Sequence, residues 1–349
     1  MPSIEKPLIP AVHLERNALG LTVRDYEGPM STLCAGCGHD STTAAIVQAL
    51  WRAAVVPHRV VKLSGIGCSS KTPTYFLRGA HGFNSVHGRM VPIATGANAA
   101  NRDLLYLGIS GDGDALSIGL GHLCHAIRRN VHMVHVIENN GVYGLTKGQF
   151  SPTADLGSLS HRGEHNWLPP IDPMVLGLSL GATFLARGFS GDKPHLVPIL
   201  EAAIVHNGLA LVDVVSPCVQ FNNHAGSTKS YAAARAHEQQ VTDFVPPQEP
   251  VIAEIPSAGG ADVAMPGGGA IRFRSLPAGY DPTDRLSVAA YLHELASRGE
   301  VPTGLLFVDE SVPDVHERSR STTVPLNQLP FDELCPGAGA LDALQAAYR

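Results

Sequence analysis

The sequence contains no apolar run near the roughly 18 residues that a membrane-spanning helix requires. It has no surplus of positive charge either, since 25 Lys and Arg stand against 31 Asp and Glu, a formal net charge of −6. Arg128-Arg129 and Arg318-Ser319-Arg320 are too short to form an electrostatic footprint for nucleic acid. The first residues are punctuated by Pro and carry Glu5, Lys6, Glu15 and Arg16, which is not the pattern of a signal peptide. No internal repeat is evident. Charged residues are sparse, at 16% against 44% hydrophobic, which suits a globular chain with a sizeable core. A cytoplasmic protein without nucleic-acid partners or a membrane span is expected.

What is present alternates. Arg59 to Leu63 is a short β-branched run that stops at Ser64-Gly65, and residues 90–101 read as a tightly packed Ala-rich helix. An N-cap-like Asp40-Ser41-Thr42 opens a helical run through Trp51. Leu104 to Ile109, Leu116 to Ile127 and Val131 to Ile137 follow as strand, helix and strand, a βαβ unit. Helical 173–182, strand-like 183–187, helical 193–206 and strand-like Ala210 to Val215 continue the alternation. The fold class expected is α/β, a parallel sheet with helices on both faces. Three regions are expected: an N-terminal arm over 1–30, a main domain over 31–225, and an irregular C-terminal extension over 226–349. The extension holds a polar helical stretch at 229–240 and is crowded with Pro and Gly at 245–280. It is expected to cover the core or a partner.

Two strand ends carry polar decoration: Gly111-Asp112-Gly113-Asp114 and Asn139-Asn140-Gly141-Val142. Parallel sheets bind ligands at the C-terminal ends of their strands. A diphosphate held by Mg²⁺ needs hard oxygen ligands in octahedral array, and a carboxylate, an amide oxygen and a backbone carbonyl supply three. Glycines let the backbone approach phosphates, and a helix starting near Ala115 would aim its amides at the anion. Either piece alone also suits an ordinary turn, with Asp114 as a helix cap. Together they bracket one helix and one strand, and an unpaired buried Asp112 would be costly.

Cys34-Ala-Gly-Cys37 is the single C-x-x-C. Cys68 and Cys218 sit beside Gly or Pro at strand ends, whereas Cys124 lies in a helical pattern and Cys335 in the tail. Four thiolates could hold zinc or an iron–sulfur cluster, or the cysteines could be unrelated thiols.

The Gly-Asp-Gly … Asn-Asn spacing resembles that of thiamine-diphosphate enzymes. Residues 30–225 resemble the β subunit of 2-oxoacid:ferredoxin oxidoreductases, most like the 2-oxoglutarate type. The matching blocks are Cys-Ala-Gly-Cys-Gly-His39, Gly-Ile-Gly-Cys68-Ser-Ser-Lys71, His87-Gly-Arg89, Gly-Asp-Gly-Asp114, Asn140-Gly-Val-Tyr-Gly-Leu-Thr-Lys-Gly-Gln149 and Ser216-Pro-Cys-Val-Gln-Phe-Asn-Asn-His224. The resemblance implies that Asp112, Asn140 and the Val142 carbonyl ligate Mg²⁺. It implies that Ile66, Gly67, Cys68, Ser69, His87, Gly111, Gly113, Gly144, Leu145 and Thr146 line the cofactor, with Asp114 as cap and further contact. It also implies that Cys34, Cys37, Cys68 and Cys218 bind one [4Fe–4S] cluster.

The reaction so implied is oxidative decarboxylation of 2-oxoglutarate to succinyl-CoA and CO₂, with electrons passing through the cluster to ferredoxin. A pyruvate or broad-specificity enzyme and a non-catalytic zinc-stabilised module are the alternatives. Lys71 and Lys147 are candidate cations for substrate and coenzyme A, and His87 is a candidate diphosphate contact. No second thiamine-type domain supplies the acid that activates the cofactor, so an α subunit is expected, in an (αβ)2 assembly.

Overall fold

The computed structural model describes residues 4–7, 14–245, 263–264, 270–273 and 280–349. After the arm, α1 (Gly38–Arg52) leads to β1 (Val60–Ser64), β2 (His81–Asn84), α2 (Met90–Ala100), β3 (Leu105–Gly111), α3 (Leu120–Arg129) and β4 (Met133–Asn139). A small hairpin, β5 (Val142–Tyr143) and β6 (Gln149–Phe150), precedes α4 (Pro173–Ser179), β7 (Phe184–Phe189), α5 (Lys193–Val205) and β8 (Leu209–Val215). The extension adds α6 (Tyr231–His237) and β9 (Glu238–Gln240), then the antiparallel strands β10 (Thr242–Val245), β11 (Val263–Ala264) and β12 (Ala270–Phe273). It ends with α7 (Arg285–Ser297), β13 (Val301–Val308), α8 (Val315–Ser319), α9 (Phe331–Leu334) and α10 (Ala338–Ala346).

The main sheet runs β2-β1-β3-β4-β8-β7-β13-β9. From β2 to β7 every pairing is parallel, as the alternating sequence pattern predicts. Its central strands β3, β4, β8 and β7 are buried on both faces, so period two sorts residues between two cores rather than between core and water. On β3, Leu107 and Ile109 join α1 and α5 in one core, while Tyr106 faces Met90 and Leu123 of α2 and α3 in the other. On β8, Ala210, Val212 and Val214 go to the first core, Leu209 and Leu211 to the second. Each of the buried Leu, Ile and Val side chains contributes about 1.5–3 kcal/mol. Gly108 lets α2 come close, since a Cβ there would lie 2.5 Å from Met90 Sδ.

Helix starts follow local chemistry. Asp172 accepts the amides of Met174 and Val175 to open α4, with Pro at its first position. Helix α1 starts at Gly38, two residues before the expected Asp40, with Cys37 as N-cap. The arm is not merely extended: Val23–Tyr26 makes a 3₁₀ turn and buries Tyr26, whose hydroxyl donates to the Val55 carbonyl at 2.8 Å.

The extension does more than cover the core. The apolar Gly304 to Val308 stretch lies in β13, which pairs antiparallel with β7 and extends the main sheet. Strand β9 pairs parallel with β13 at the edge. The expected polar helix at 229–240 is the shorter α6, after which the chain becomes extended. Much of the Pro- and Gly-rich 245–280 stretch lies outside the described residues.

The α1–α5 contact carries a titratable burden. Glu201 is buried, with Arg52 at 3.5 Å, and burial outweighs that guanidinium to push its pKa up to about 7. The folded chain keeps a proton that the unfolded chain sheds from about pH 4.5, so stability from this site falls as pH rises between 4.5 and 7. Glu201→Gln is expected to raise the melting temperature at pH 8 while leaving it near wild type at pH 5. Calorimetry showing no pH-dependent difference between the two proteins would contradict this.

Candidate cofactor and metal site

The chain passes from β1 to β2 on one side and then crosses to β3 on the other. Such a reversal opens a crevice beyond the carboxyl ends of the two diverging strands. Three loops meet there: residues 65–69 after β1, 111–114 after β3 and 140–146 after β4. One cleft is lined by Ile66, Gly67, Cys68, Ser69, His87, Gly111, Asp112, Gly113, Asp114, Asn140, Val142, Gly144, Leu145 and Thr146. Every residue expected to touch the cofactor therefore faces one space.

Asp114 holds the loops together. Its carboxylate accepts the amides of Ile66 at 3.1 Å and Gly88 at 2.8 Å, with His87 Nδ1 at 2.5 Å. It is not the helix cap: Gly113 occupies that position, and Asp114 opens a π-helical turn, Asp114–Ile118, ahead of α3. Gly65 has no room for a Cβ because this carboxylate fills the place. Gly113 likewise must be glycine, since a Cβ would run into the Tyr143 ring.

Asp112 is 1% exposed. Burial raises its pKa, opposed by hydrogen bonds from Ser151 and Thr153. The Gly141 amide also reaches Oδ2, at 3.1 Å. None of these donors is a cation; Lys229 acts on the carboxylate electrostatically without outweighing burial, and a carboxylate this deep is penalised unless its charge is balanced. Asp112, the Asn140 amide and the Val142 peptide form a hard-oxygen set around one cleft, which suits a small divalent cation. Asn139 is committed elsewhere. Its Oδ1 lies 2.8 Å from Thr153 Oγ1, whose single proton goes to Asp112, and its Nδ2 donates to Asp213 Oδ1 at 2.9 Å. Arg187 in turn bonds Asp213 and Asp172, at 2.8 Å each.

Cys68 lines this cleft, with Cys218 and Cys34 near enough to act on it electrostatically and Cys37 near Cys218. Cys37 N donates to Cys34 O at 3.0 Å, closing the knuckle, and Gly38 N donates to Pro217 O at 3.1 Å, docking it against Ser-Pro-Cys218. A Cβ at Gly144 would lie 3.5 Å from Cys68 Sγ and 3.6 Å from Cys218 Sγ. Burial pushes the Cys37 thiol up to about 12, with Glu138 and Cys218 adding to it. Burial also raises Cys68, which feels Cys218 and Cys34. Thiols so disposed become thiolates only beside added positive charge. Tetrahedral zinc would need sulfurs about 3.8 Å apart, from Zn–S bonds of about 2.3 Å. Among the described residues, no three of these sulfurs lie within 4.8 Å of one another. Cys124 lies on α3 and Cys335 in the exposed tail.

Neither Lys71 nor Lys147 lines the cleft. Lys71 acts electrostatically on Cys68, and Lys147 is exposed at a turn with φ +78°. Sequence reasoning missed His39 and Tyr143 as lining residues, and Ser151, Thr153 and Glu138 as supports. Glu138 is fully buried, takes the Thr72 hydroxyl at 2.9 Å and lies 3.6 Å from His39 Nδ1. Burial raises its pKa well above the carboxylate range and draws that of His39 down to about 4.

The fold and this cleft define a thiamine-diphosphate-binding domain. The family described as thiamine pyrophosphate enzyme, C-terminal TPP binding domain, matches residues 65–214. The chain is 41% identical over 220 residues to the 2-oxoacid:ferredoxin oxidoreductase subunit beta of Saccharolobus solfataricus, covering 63% of this chain and 70% of that one. It is 42% identical over 191 residues to the 2-oxoglutarate oxidoreductase subunit KorB of Mycobacterium tuberculosis, covering 54% and 51%. The chain belongs to the family of 2-oxoacid:ferredoxin oxidoreductase β subunits. Its fold is similar to that of the 2-oxoglutarate:ferredoxin oxidoreductase from Magnetococcus marinus, solved with 2-oxoglutarate, coenzyme A and succinyl-CoA bound. That match has a TM-score of 0.69 and 28% identity, over 88% of this chain and 94% of the other.

Thr153→Val removes a donor to a buried carboxylate, a loss of about 1–3 kcal/mol. Titration of the αβ complex is expected to show Mg²⁺-dependent thiamine diphosphate binding weakened about tenfold, with iron content unchanged. Unaltered affinity would show that Asp112 does not depend on this hydroxyl.

Proposed function

We propose that this chain is the β subunit of a 2-oxoglutarate:ferredoxin oxidoreductase. It carries the diphosphate-binding half of the thiamine site and one [4Fe–4S] cluster. The observation that carries this reading is that Cys68, a cluster candidate, lies in the loop that also lines the diphosphate cleft, with Gly144 against its sulfur.

In this reading Asp112, Asn140 and the Val142 carbonyl hold Mg²⁺, and the π-helical turn at Asp114 presents its amides to the diphosphate. Ile66, Gly67, Ser69, Gly111, Gly113, Leu145 and Thr146 enclose the cofactor, and the Asp114–His87 pair sets the far wall. When bound, thiamine diphosphate supplies the nucleophilic carbon and the electron sink for decarboxylation. Cys34, Cys37, Cys68 and Cys218 would hold the cluster beside that chemistry, and when bound it would supply one-electron transfer toward ferredoxin. The products are succinyl-CoA and CO₂. Burial disfavours the charged forms of both Glu138 and His39 beside the cleft.

The cleft-lining carboxylates among the described residues are Asp112 and Asp114, and both are engaged. The acid that activates the cofactor is therefore assigned to an α subunit closing over the cleft, in an (αβ)2 assembly. Lys147 follows two cleft-lining residues and is open to solvent, so it is the cation placed to meet a substrate or coenzyme A acid as that subunit closes. Lys71 sits beside Cys68 and is assigned to the cluster's electrostatic surroundings. The substrate choice rests on the KorB relative and on the Magnetococcus enzyme with its bound 2-oxoglutarate and coenzyme A. No helix among the described residues is long and apolar enough to cross a membrane.

The test is anaerobic co-purification with the partner chain, iron and sulfide analysis, and dye reduction with several 2-oxo acids plus coenzyme A. Brown protein with iron and sulfide in equal amounts, reducing dye fastest with 2-oxoglutarate, is expected. Colourless zinc protein would overturn the cluster, and activity with pyruvate but not 2-oxoglutarate would overturn the substrate.

A further inference from the structure

A second set of metal-ligating side chains lies away from the cleft, where the extension meets the main domain. Asp192 and His195 stand at the start of α5, and Glu238 begins β9. One ligand atom from each lies within 4.8 Å of the other two. His195 Nε2 is 3.1 Å from the Thr242 carbonyl. A carbonyl can only accept, so Nε2 carries a proton, which leaves Nδ1 as the ring nitrogen that can offer a lone pair to a ligand. That Nδ1 is shielded from water within a half-buried side chain and makes no hydrogen bond.

The two carboxylates are held in place by other groups. Asp192 accepts from the His195 amide at 3.2 Å and from Gln240 Nε2 at 2.8 Å; Glu238 accepts from Thr303 Oγ1 at 2.8 Å. These donors orient the carboxylates without neutralising them. Three acceptors thus converge, one of them a buried imidazole nitrogen with nothing to accept from. Imidazole nitrogen and carboxylate oxygen together are the donor set of zinc and its borderline neighbours, with a fourth position left to water. Two carboxylates also balance a divalent charge. The amide end of α5 would repel a cation, but Asp192 already caps it.

We propose that Asp192, His195 and Glu238 bind one divalent cation of the zinc class, which fastens the C-terminal extension to α5. Two of the ligands belong to the main domain and the third to β9, an edge strand of three residues. So short an edge strand has little pairing of its own to hold it, and the ion supplies the anchor. This site is independent of the proposed redox chemistry.

The αβ complex, stripped with EDTA and gel-filtered, is titrated with zinc sulfate and analysed for zinc and iron by mass spectrometry. One tightly held zinc per β chain is expected, together with a higher melting temperature. His195→Ala is expected to abolish both. Glu238→Gln retains an oxygen for Thr303, and is expected to keep wild-type iron content and zinc-free melting temperature while losing about tenfold in zinc affinity, or 1.4 kcal/mol. Absence of zinc uptake by the wild-type complex would overturn the proposal. So would a His195→Ala complex that still takes up the same zinc.

Discussion

A carboxylate shut away from water at the end of a parallel strand is the constraint around which the rest of this structure is arranged. Asp112 is 1% exposed and receives only neutral donors. Left to itself, such a charge would favour taking up a proton or distorting the loop. The chain spends several polar groups on keeping it ordered: the Gly141 amide, two hydroxyls, and behind Thr153 a line through Asn139 and Asp213 to Arg187. That line makes sense if the carboxylate must stay ionised and aimed until a cation arrives. Gly113 serves the same end by letting Tyr143 close over the turn.

The cysteines inherit their position from the same loops. Cys68 follows β1, Cys218 follows β8, and Cys34 and Cys37 are docked by the bond from Gly38 to Pro217. Because β1, β3, β4 and β8 are sheet neighbours with parallel direction, all their carboxyl ends open on one side. The cleft-lining loops after β3 and β4 are therefore adjacent to the loops after β1 and β8 that carry Cys68 and Cys218. Asp114 keeps that adjacency rigid by tying the 65–69 and 86–89 loops to the helix that follows β3.

Residues whose chemistry is contiguous were legible in the sequence. Gly-Asp-Gly, Asn-Asn-Gly and Cys-x-x-Cys each state a local requirement, and the alternation of apolar runs with helical spacing gave the parallel sheet. The role of Asp114 was not legible, because its partners are backbone amides 48 and 26 residues earlier and any residue carries an amide. Ser151 and Thr153 were hidden for a similar reason: hydroxyls are common, and only the fold brings these two to Asp112. The run at 304–308 was visibly apolar, yet its flanking Pro and Gly gave no sign that it joins the main sheet from the opposite direction. Lys71 was placed on the correct loop, but the 3₁₀ turn at Ser69–Tyr75 carries it out of the cleft lining.

The central claim is that two separately held centres share one loop and pass electrons between them. Electron paramagnetic resonance of the anaerobic αβ complex, wild type beside Asp112→Ala, tests it most directly. The account predicts that 2-oxoglutarate with coenzyme A reduces the wild-type cluster, whereas the variant keeps its iron, is reduced by dithionite and does not respond to substrate. A variant whose cluster is still reduced by substrate, or one that loses its iron with the cofactor, would contradict it.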